Sequence, residues 1–274
     1  MTSALIAQGS EIRSFNGWRS RDTFNRMSKN QRTNSVPRGM TCRGVHRAII
    51  EHFLKSRQNL TSSTMLDIPC GSGELISSLR RFFPGADVRG CDLKKPEALA
   101  SGEFSSVDAS RPFTVFPGNK FDYIFSVSGV MEFDNTLQFF ESCHTHLRDG
   151  GQFVVTNDNV VAIRDRISYF CLGKVRQYHL FVTLRQGSWK VIPIHNMLRI
   201  LQDAGFRIRE VRYVSLLPKD WLMLPLALLV YPIQFLYMNL SRSRIPWREQ
   251  RAIYPFRSLL CRHYIIFCQK GFID

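Results

Sequence analysis

The feature that most narrows the fold is an alternation that begins at Met65. Apolar runs of strand length trade places with amphipathic stretches of helical spacing. Strands are predicted at "TMLDIP", "DVRGCDL", "EFSSVDA", "FDYIFSVS" and, after a turn at "RDGG", "QFVVTND". Helices are predicted at "GELISSLRRFF" and "DNTLQFFESCHTHL", with a short one near "PEALAS". Each helix must carry the chain back to the edge where the next strand starts, so the pattern demands a parallel sheet with right-handed crossovers. Further on, "IHNMLRILQDAGF" is a helix closed by Gly205, "FRIREVRYVSLL" a sixth strand and "CRHYIIFCQKG" a seventh.

Upstream, "VHRAIIEHFLKS" sets Val45, Ile49, Ile50 and Phe53 on one helical face that should pack on the sheet. Residues 1–44 are polar, basic and rich in Ser, Asn, Arg and Gly, and read as a partly ordered lid or tail. Residues 45–274 read as one α/β domain, in which 158–194 would form a lid over an acceptor and 215–260 an apolar and basic insertion. At 274 residues and 44% hydrophobic composition, the chain can bury a substantial core.

The net charge of +15 is unevenly placed. It is about +8 in residues 1–60, about −2 in 61–184 and about +9 in 185–274. Basic ends around a near-neutral body suit an anionic surface: phospholipid, nucleic acid or a phosphorylated substrate. A merely solvated basic face is the alternative. The seven cysteines are scattered, with neither a C-x-x-C pair nor His/Cys spacing of a zinc site, so they read as reduced thiols and no metal is expected. The first twenty residues lack a basic start followed by an apolar core, which points to the cytoplasm.

The stretch "MLDIPCGSGEL", residues 65–75, joins the first strand to its helix through a turn of small residues. Gly71 and Gly73 would let a ligand approach bare main chain and the N–H groups at the helix start. A nucleoside triphosphate loop would continue with Lys and Ser/Thr, where this turn has Glu74 and Leu75; a dinucleotide fingerprint would want a third Gly at Ile76. A carboxylate at Asp67 would repel a pyrophosphate. It suits a ligand that brings positive charge, an ammonium or a sulfonium.

These residues resemble the class I S-adenosylmethionine-dependent methyltransferases, in particular the group with a D-x-G-x-G-x-G first motif. The resemblance covers about residues 60–214 and, weakly, the last strand. It implies a Rossmann-like seven-stranded α/β sheet and S-adenosylmethionine as cofactor. Asp67 would then hold the methionine amino group. The loop Pro69, Cys70, Gly71, Ser72 and Gly73 would admit the nucleoside. Pro69 stands where the family often has Gly, which removes an N–H donor and holds φ at about −65°. Asp92, followed by Leu93, would accept from the ribose hydroxyls; Asp108 would meet the adenine amine and Ala109 N–H the ring. Ser126 would line the methionine end. Phe133 replaces a His usual in the family, so no catalytic role falls there, and Asp149 replaces the Pro of the family's L-x-P-G-G turn.

Methyl transfer is an in-line displacement that mainly needs orientation and exclusion of water; a general base is required only if the acceptor loses a proton. Among His144, His146, His179 and His195, the candidate is His179, in "VRQYHLFV", with Tyr178 an equally cheap hydrogen-bonding alternative. His144 and His146 are two apart, cannot share a helical face, and read as surface or helix-end residues, and His195 as a helix start.

Residues 221–240, "WLMLPLALLVYPIQFLYMNL", are twenty without a charge. At about 1.5 Å per residue they could cross a hydrocarbon core of about 30 Å. Strands six and seven belong to one sheet, however, so the segment must return. Pro225 and Pro232 should break a straight helix into a bent or re-entrant piece. Trp221, Tyr231 and Tyr237 suit an interfacial belt, and Arg242, Arg244, Arg248 and Arg251 suit anionic head groups. An apolar lid or a dimer interface is the alternative. The expected function is O- or C-methylation of a lipid, isoprenoid or lipid-linked glycan at a membrane surface. The alternatives are a soluble small-metabolite or natural-product O-methyltransferase and a non-catalytic cofactor-binding subunit. Nucleic acid is disfavoured because the fourth strand lacks the N/D-P-P-Y/F signature.

Overall fold

The structure is a computed structural model that describes residues 35–56, 60–175, 180, 190–240 and 247–271. His179 and Tyr178 lie outside the described residues, as do residues 1–34 of the expected tail, Arg242 and Arg244, and the side chain of Arg248.

Helix α1 (Val45–Lys55) leads into β1 (Thr64–Asp67), α2 (Glu74–Phe82), β2 (Asp87–Asp92), β3 (Phe104–Ser106) and β4 (Phe121–Val127). Then come α3 (Thr136–His146), β5 (Leu147–Asp158), α4 (Ile163–Leu172), α5 (Ile194–Asp203) and β6 (Phe206–Val214). Helices α6 (Leu224–Leu240) and α7 (Trp247–Ile253) precede β7 (His263–Lys270). The seven strands form one sheet in the order β3-β2-β1-β4-β5-β7-β6. All pairs from β3 to β5 are parallel, while β7 runs antiparallel between β5 and β6. The sheet is that of the class I methyltransferase fold.

The order reverses between β1 and β4, and this switch point is where an open α/β sheet leaves a crevice beyond its strand ends. The central strands are buried on both faces, so Leu66, Ile68, Ile124, Phe125, Phe153 and Val155 read as near-continuous apolar runs. Helix α1 seals one face: Phe53 meets the rings of Tyr123 at 5.2 Å and Phe125 at 5.8 Å. Burying each such side chain contributes about 1.5–3 kcal/mol. Gly205 has φ +86° just past α5, the left-handed residue that ends that helix.

Three local expectations are corrected. Residues 96–101 are not a helix: Pro96–Leu99 closes as a turn, and a 3-10 turn follows at Ser101–Glu103. The "RDGG" residues lie inside β5, where a register shift against β4 absorbs Gly150 at φ +72°. Finally, α6 runs unbroken through Pro232. Pro225 sits in its first turn, where no carbonyl waits for the missing N–H, and Pro232 removes one helical hydrogen bond from an otherwise continuous ladder.

The insertion is clamped at its root by Asp220, in a 3-10 turn over Pro218–Met223. Its buried carboxylate accepts from Arg262 Nε and Nη2, both at 2.7 Å, from Arg164 Nη1 at 2.9 Å and from Leu217 N at 2.8 Å. From there α6 buries Ala227 and Met238 and packs Leu224, Val230 and Tyr231 partly against Ile163, Leu259 and Leu260. Leu222, Leu229, Ile233, Leu236 and Leu240, spaced three to seven apart, are each more than half exposed. Helix α4 lies alongside, with Arg166 Nη2 donating to Gln234 Oε1 at 3.2 Å, and leaves Phe170 90% exposed. Among the described residues, Pro218–Leu240 is the one helical stretch long and apolar enough to cross a bilayer.

Candidate cofactor site

The strand ends on either side of the switch point place three carboxylates around two adjoining cavities. The larger, about 500 Å³, is lined by Asp92, Leu93, Asp108 and Ala109 on one side and by Val127, Ser128 and Phe133 on the other. The smaller, about 40 Å³, reaches Asp67, Cys70 and Ser72; Met40, Pro69, Gly71 and Val127 line both. Parallel strands deliver each loop to the same edge, which is why Asp67, Asp92 and Asp108, far apart in sequence, meet here.

The loop after β1 is fixed by its own main chain. Gly71 N donates to Asp92 Oδ2 at 2.9 Å, Leu93 N to Asp92 Oδ1 at 2.7 Å, and Gly73 N to the Cys70 carbonyl at 2.9 Å. Gly71 and Gly73 lie at φ +53° and +85°, conformations that side chains rarely adopt. Two other glycines make room: a Cβ on Gly90 would come within 2.8 Å of Ile76 and Leu99, and one on Gly129 within 2.4 Å of Pro69. The Ile68–Pro69 peptide is cis.

Asp67 is 2% exposed, and its Oδ1 has no hydrogen-bond partner among the described residues. Burial, reinforced by the carboxylates of Asp92 and Glu74, pushes its pKa well above the usual carboxylate range. An orphaned carboxylate oxygen at the end of a cavity fits a ligand that carries a cationic nitrogen, as the methionine moiety of S-adenosylmethionine does. Burial also pushes the Cys70 and Cys91 thiols up, Cys91 to about 12, so neither is a nucleophile near neutral pH.

Two predicted residues are not on the cavity walls. Ser126 is wholly buried within β4, lines neither cavity, and its Oγ has no partner among the described residues, while Val127 and Ser128, where the strand ends and the chain turns at φ +61°, line the crevice. Gly73 caps α2 behind the loop. Other lining residues carried no sequence signal: Met40 and Thr41 come from the segment before α1, His46 from its first turn, and Lys94, Gly129 and Glu132 from loops. His146 is buried and structural, with Nδ1 2.7 Å from the Ser142 carbonyl and Nε2 accepting from Val115 N at 3.1 Å. His195 is exposed at the start of α5.

A family profile described as a methyltransferase domain matches residues 22–211. The chain belongs to the class I S-adenosylmethionine-dependent methyltransferases. A ubiquinone biosynthesis O-methyltransferase of Sinorhizobium medicae is 31% identical over 124 residues, 40% of this chain. The match spans about half of that relative, 48% of its length. Among solved structures, a protein of Bacillus halodurans provisionally assigned as a methyltransferase superposes with a TM-score of 0.50 at 15% identity, covering 82% of this chain and 99% of that one. One of Galdieria sulphuraria, provisionally assigned to sarcosine and dimethylglycine methylation, gives 0.50 at 10% identity over 88% and 93%. These likenesses establish the fold. In this methyltransferase the residues present fit the cofactor, on the strength of the orphaned Asp67 oxygen.

Proposed function

We propose that this methyltransferase acts at the cytoplasmic face of a membrane, on a hydroxyl or carbon of a lipid, isoprenoid or lipid-linked glycan. The observation that carries this reading is the position of the bare apolar helix α6. It leaves the sheet after Val214, which pairs with His263 at the same edge where Asp158 ends β5 and the cavities open. An acceptor embedded in a bilayer would therefore reach the cavity without passing through water. Helix α4 adds Tyr169 and Phe170 to the apolar face, and Arg251, 4.9 Å over the Phe235 ring, adds charge beside it. The relative's role in ubiquinone biosynthesis supports a hydroxyl on an isoprenoid-type acceptor.

When bound, the cofactor supplies an activated methyl on a cationic sulfur. The chain's own part is to bind and orient. Asp67 would hold the ammonium group, Asp92 the ribose hydroxyls, Asp108 and the Ala109 N–H the adenine, and the turn of Gly71 would give backbone access. Met40, Ile68 and Phe133 keep the wall apolar, which excludes water from the reacting centre.

The test is incubation with methyl-labelled cofactor and separate lipid, water-soluble and RNA fractions, together with flotation on anionic liposomes. Label in the lipid fraction and flotation are expected. Label confined to water-soluble metabolites, with no flotation, would replace the membrane reading by that of a soluble enzyme whose apolar helix closes on its substrate. Cofactor binding without label in any fraction would identify a non-catalytic subunit.

A further inference from the structure

At the far wall of the larger cavity sits a chain of hydrogen-bonding groups that the cofactor does not use. Ser128 follows β4 in the left-handed region, at φ +61°, a conformation that costs energy for any residue with a side chain. Its Oγ is 2.7 Å from Thr41 Oγ1 and 3.4 Å from His263 Nε2. His263 is 1% exposed; its Nδ1 lies 3.1 Å from Asp158 Oδ1 and its Nε2 3.0 Å from Thr156 Oγ1. Cys42 Sγ reaches the same Asp158 oxygen at 3.6 Å.

Donor and acceptor counting fixes the imidazole. Thr156 Oγ1 accepts from Ser128 N at 3.1 Å and still has its own proton to donate to Nε2. Asp158 can only accept, so Nδ1 carries the ring proton. The proton-free Nε2 of His263 is thus an acceptor shared by Thr156 Oγ1 at 3.0 Å and Ser128 Oγ at 3.4 Å, and Ser128 lines the cavity. A hydroxyl, an imidazole and a carboxylate in this order form a base whose carboxylate orients the ring and stabilises the imidazolium once it forms.

We propose that Ser128, His263 and Asp158 form the proton relay that activates a hydroxyl acceptor, an assignment that rests on methyl transfer to oxygen. The acceptor O–H gives its proton to Ser128 Oγ as the Ser128 proton passes to His263 Nε2. An acceptor oxyanion and an imidazolium paired with Asp158 result, and the imidazolium later returns its proton to solvent. Ser128 is the catalytic residue, touching the acceptor; His263 and Asp158 act through it as positioning residues. Glu132, on the same wall, is exposed, whereas His263 is 1% exposed.

The first test needs no turnover. In full-length protein labelled with nitrogen-15 histidine, long-range proton–nitrogen correlation should show His263, assigned by loss of its signal in His263→Asn, protonated at Nδ1 and bare at Nε2. A proton on Nε2 overturns the relay. The second test compares catechol with 4-nitrocatechol, which is largely ionised near neutral pH and needs no base. Ser128→Ala and Asp158→Asn should lower kcat with catechol by roughly a hundredfold, leave cofactor affinity within about twofold, and lose less than about fivefold with 4-nitrocatechol. Equal losses with both acceptors overturn the relay. So does one equivalent of divalent metal that survives dialysis and whose chelation abolishes turnover, which would make Cys42, Asp158 and His263 its ligands. If neither catechol is methylated, the tautomer decides. An absence of label from every acceptor fraction counts against methyl transfer itself and leaves the tautomer result standing.

Discussion

The two halves of the sheet's carboxyl edge are built by different means. On the β1–β2–β3 side, each functional group sits in or just after a parallel strand: Asp67, Asp92 and Asp108 follow apolar runs one after another, and a small-residue turn follows the first. On the β4–β5–β7 side, Ser128, Asp158 and His263 are joined by an antiparallel strand that begins, rather than ends, at this edge. The first half is a carboxylate-lined socket whose charge asks for a cation; the second is the hydrogen-bonded chain proposed as a relay.

The largest expected effect separates the halves. Asp67→Asn removes the buried carboxylate that would face the ammonium, at a cost of about 2–3 kcal/mol, or roughly a hundredfold in cofactor affinity by calorimetry. Liposome retention should not change. Next, Leu229→Asp with Ile233→Asp, both on the outer stripe of α6, should reduce partition onto anionic vesicles roughly a hundredfold, by about 3 kcal/mol, with cofactor affinity intact. If both variants lose both properties, the two halves are one cooperative unit.

Asp220→Asn tests what joins the root of α6 to the sheet. It leaves the guanidiniums of Arg164 and Arg262 facing a neutral amide and should destabilise the fold by about 3 kcal/mol, a drop of roughly 6–12 °C in Tm. Gly129→Ala should cost about 1–3 kcal/mol, because the new methyl must displace the Pro69 ring. A neutral result would mean that the loop after β1 yields freely. The smallest effect is a pH dependence. The folded protein binds the Asp67 proton more tightly than the unfolded chain does, since burial raises its pKa. Its contribution to stability is therefore full below the ordinary carboxylate range and lost as pH rises through the raised value. The cofactor's ammonium compensates the ionised form, so the rise in Tm on adding cofactor should grow with pH by a few degrees.

Much of the fold was legible because alternating strand and helix patterns leave few topologies, and Gly205 and the face of Val45, Ile49, Ile50 and Phe53 marked their elements plainly. The socket was legible for a related reason, as its residues follow the strands that place them. Ser126 lies inside the strand and is wholly buried, whereas Ser128 lies past the strand's end, where the left-handed turn of the backbone brings it to the crevice, a turn with no local sequence mark. The relay left no local trace, since Asp158 and His263 lie 105 positions apart and meet only through strand pairing. Pro232 misled because its missing hydrogen bond weighs less than seventeen residues of continuous helix.

The placement of β7 has a consequence for synthesis. It lies between β5 and β6, so β6 leaves the ribosome with its only neighbour still unmade. Throughout that interval α6 follows it into the open, apolar on nearly every side, before Arg262 can grip Asp220. On the membrane reading proposed above, a nascent chain in that state would settle on the nearest bilayer before its sheet is closed, so that targeting would precede, rather than follow, completion of the enzyme.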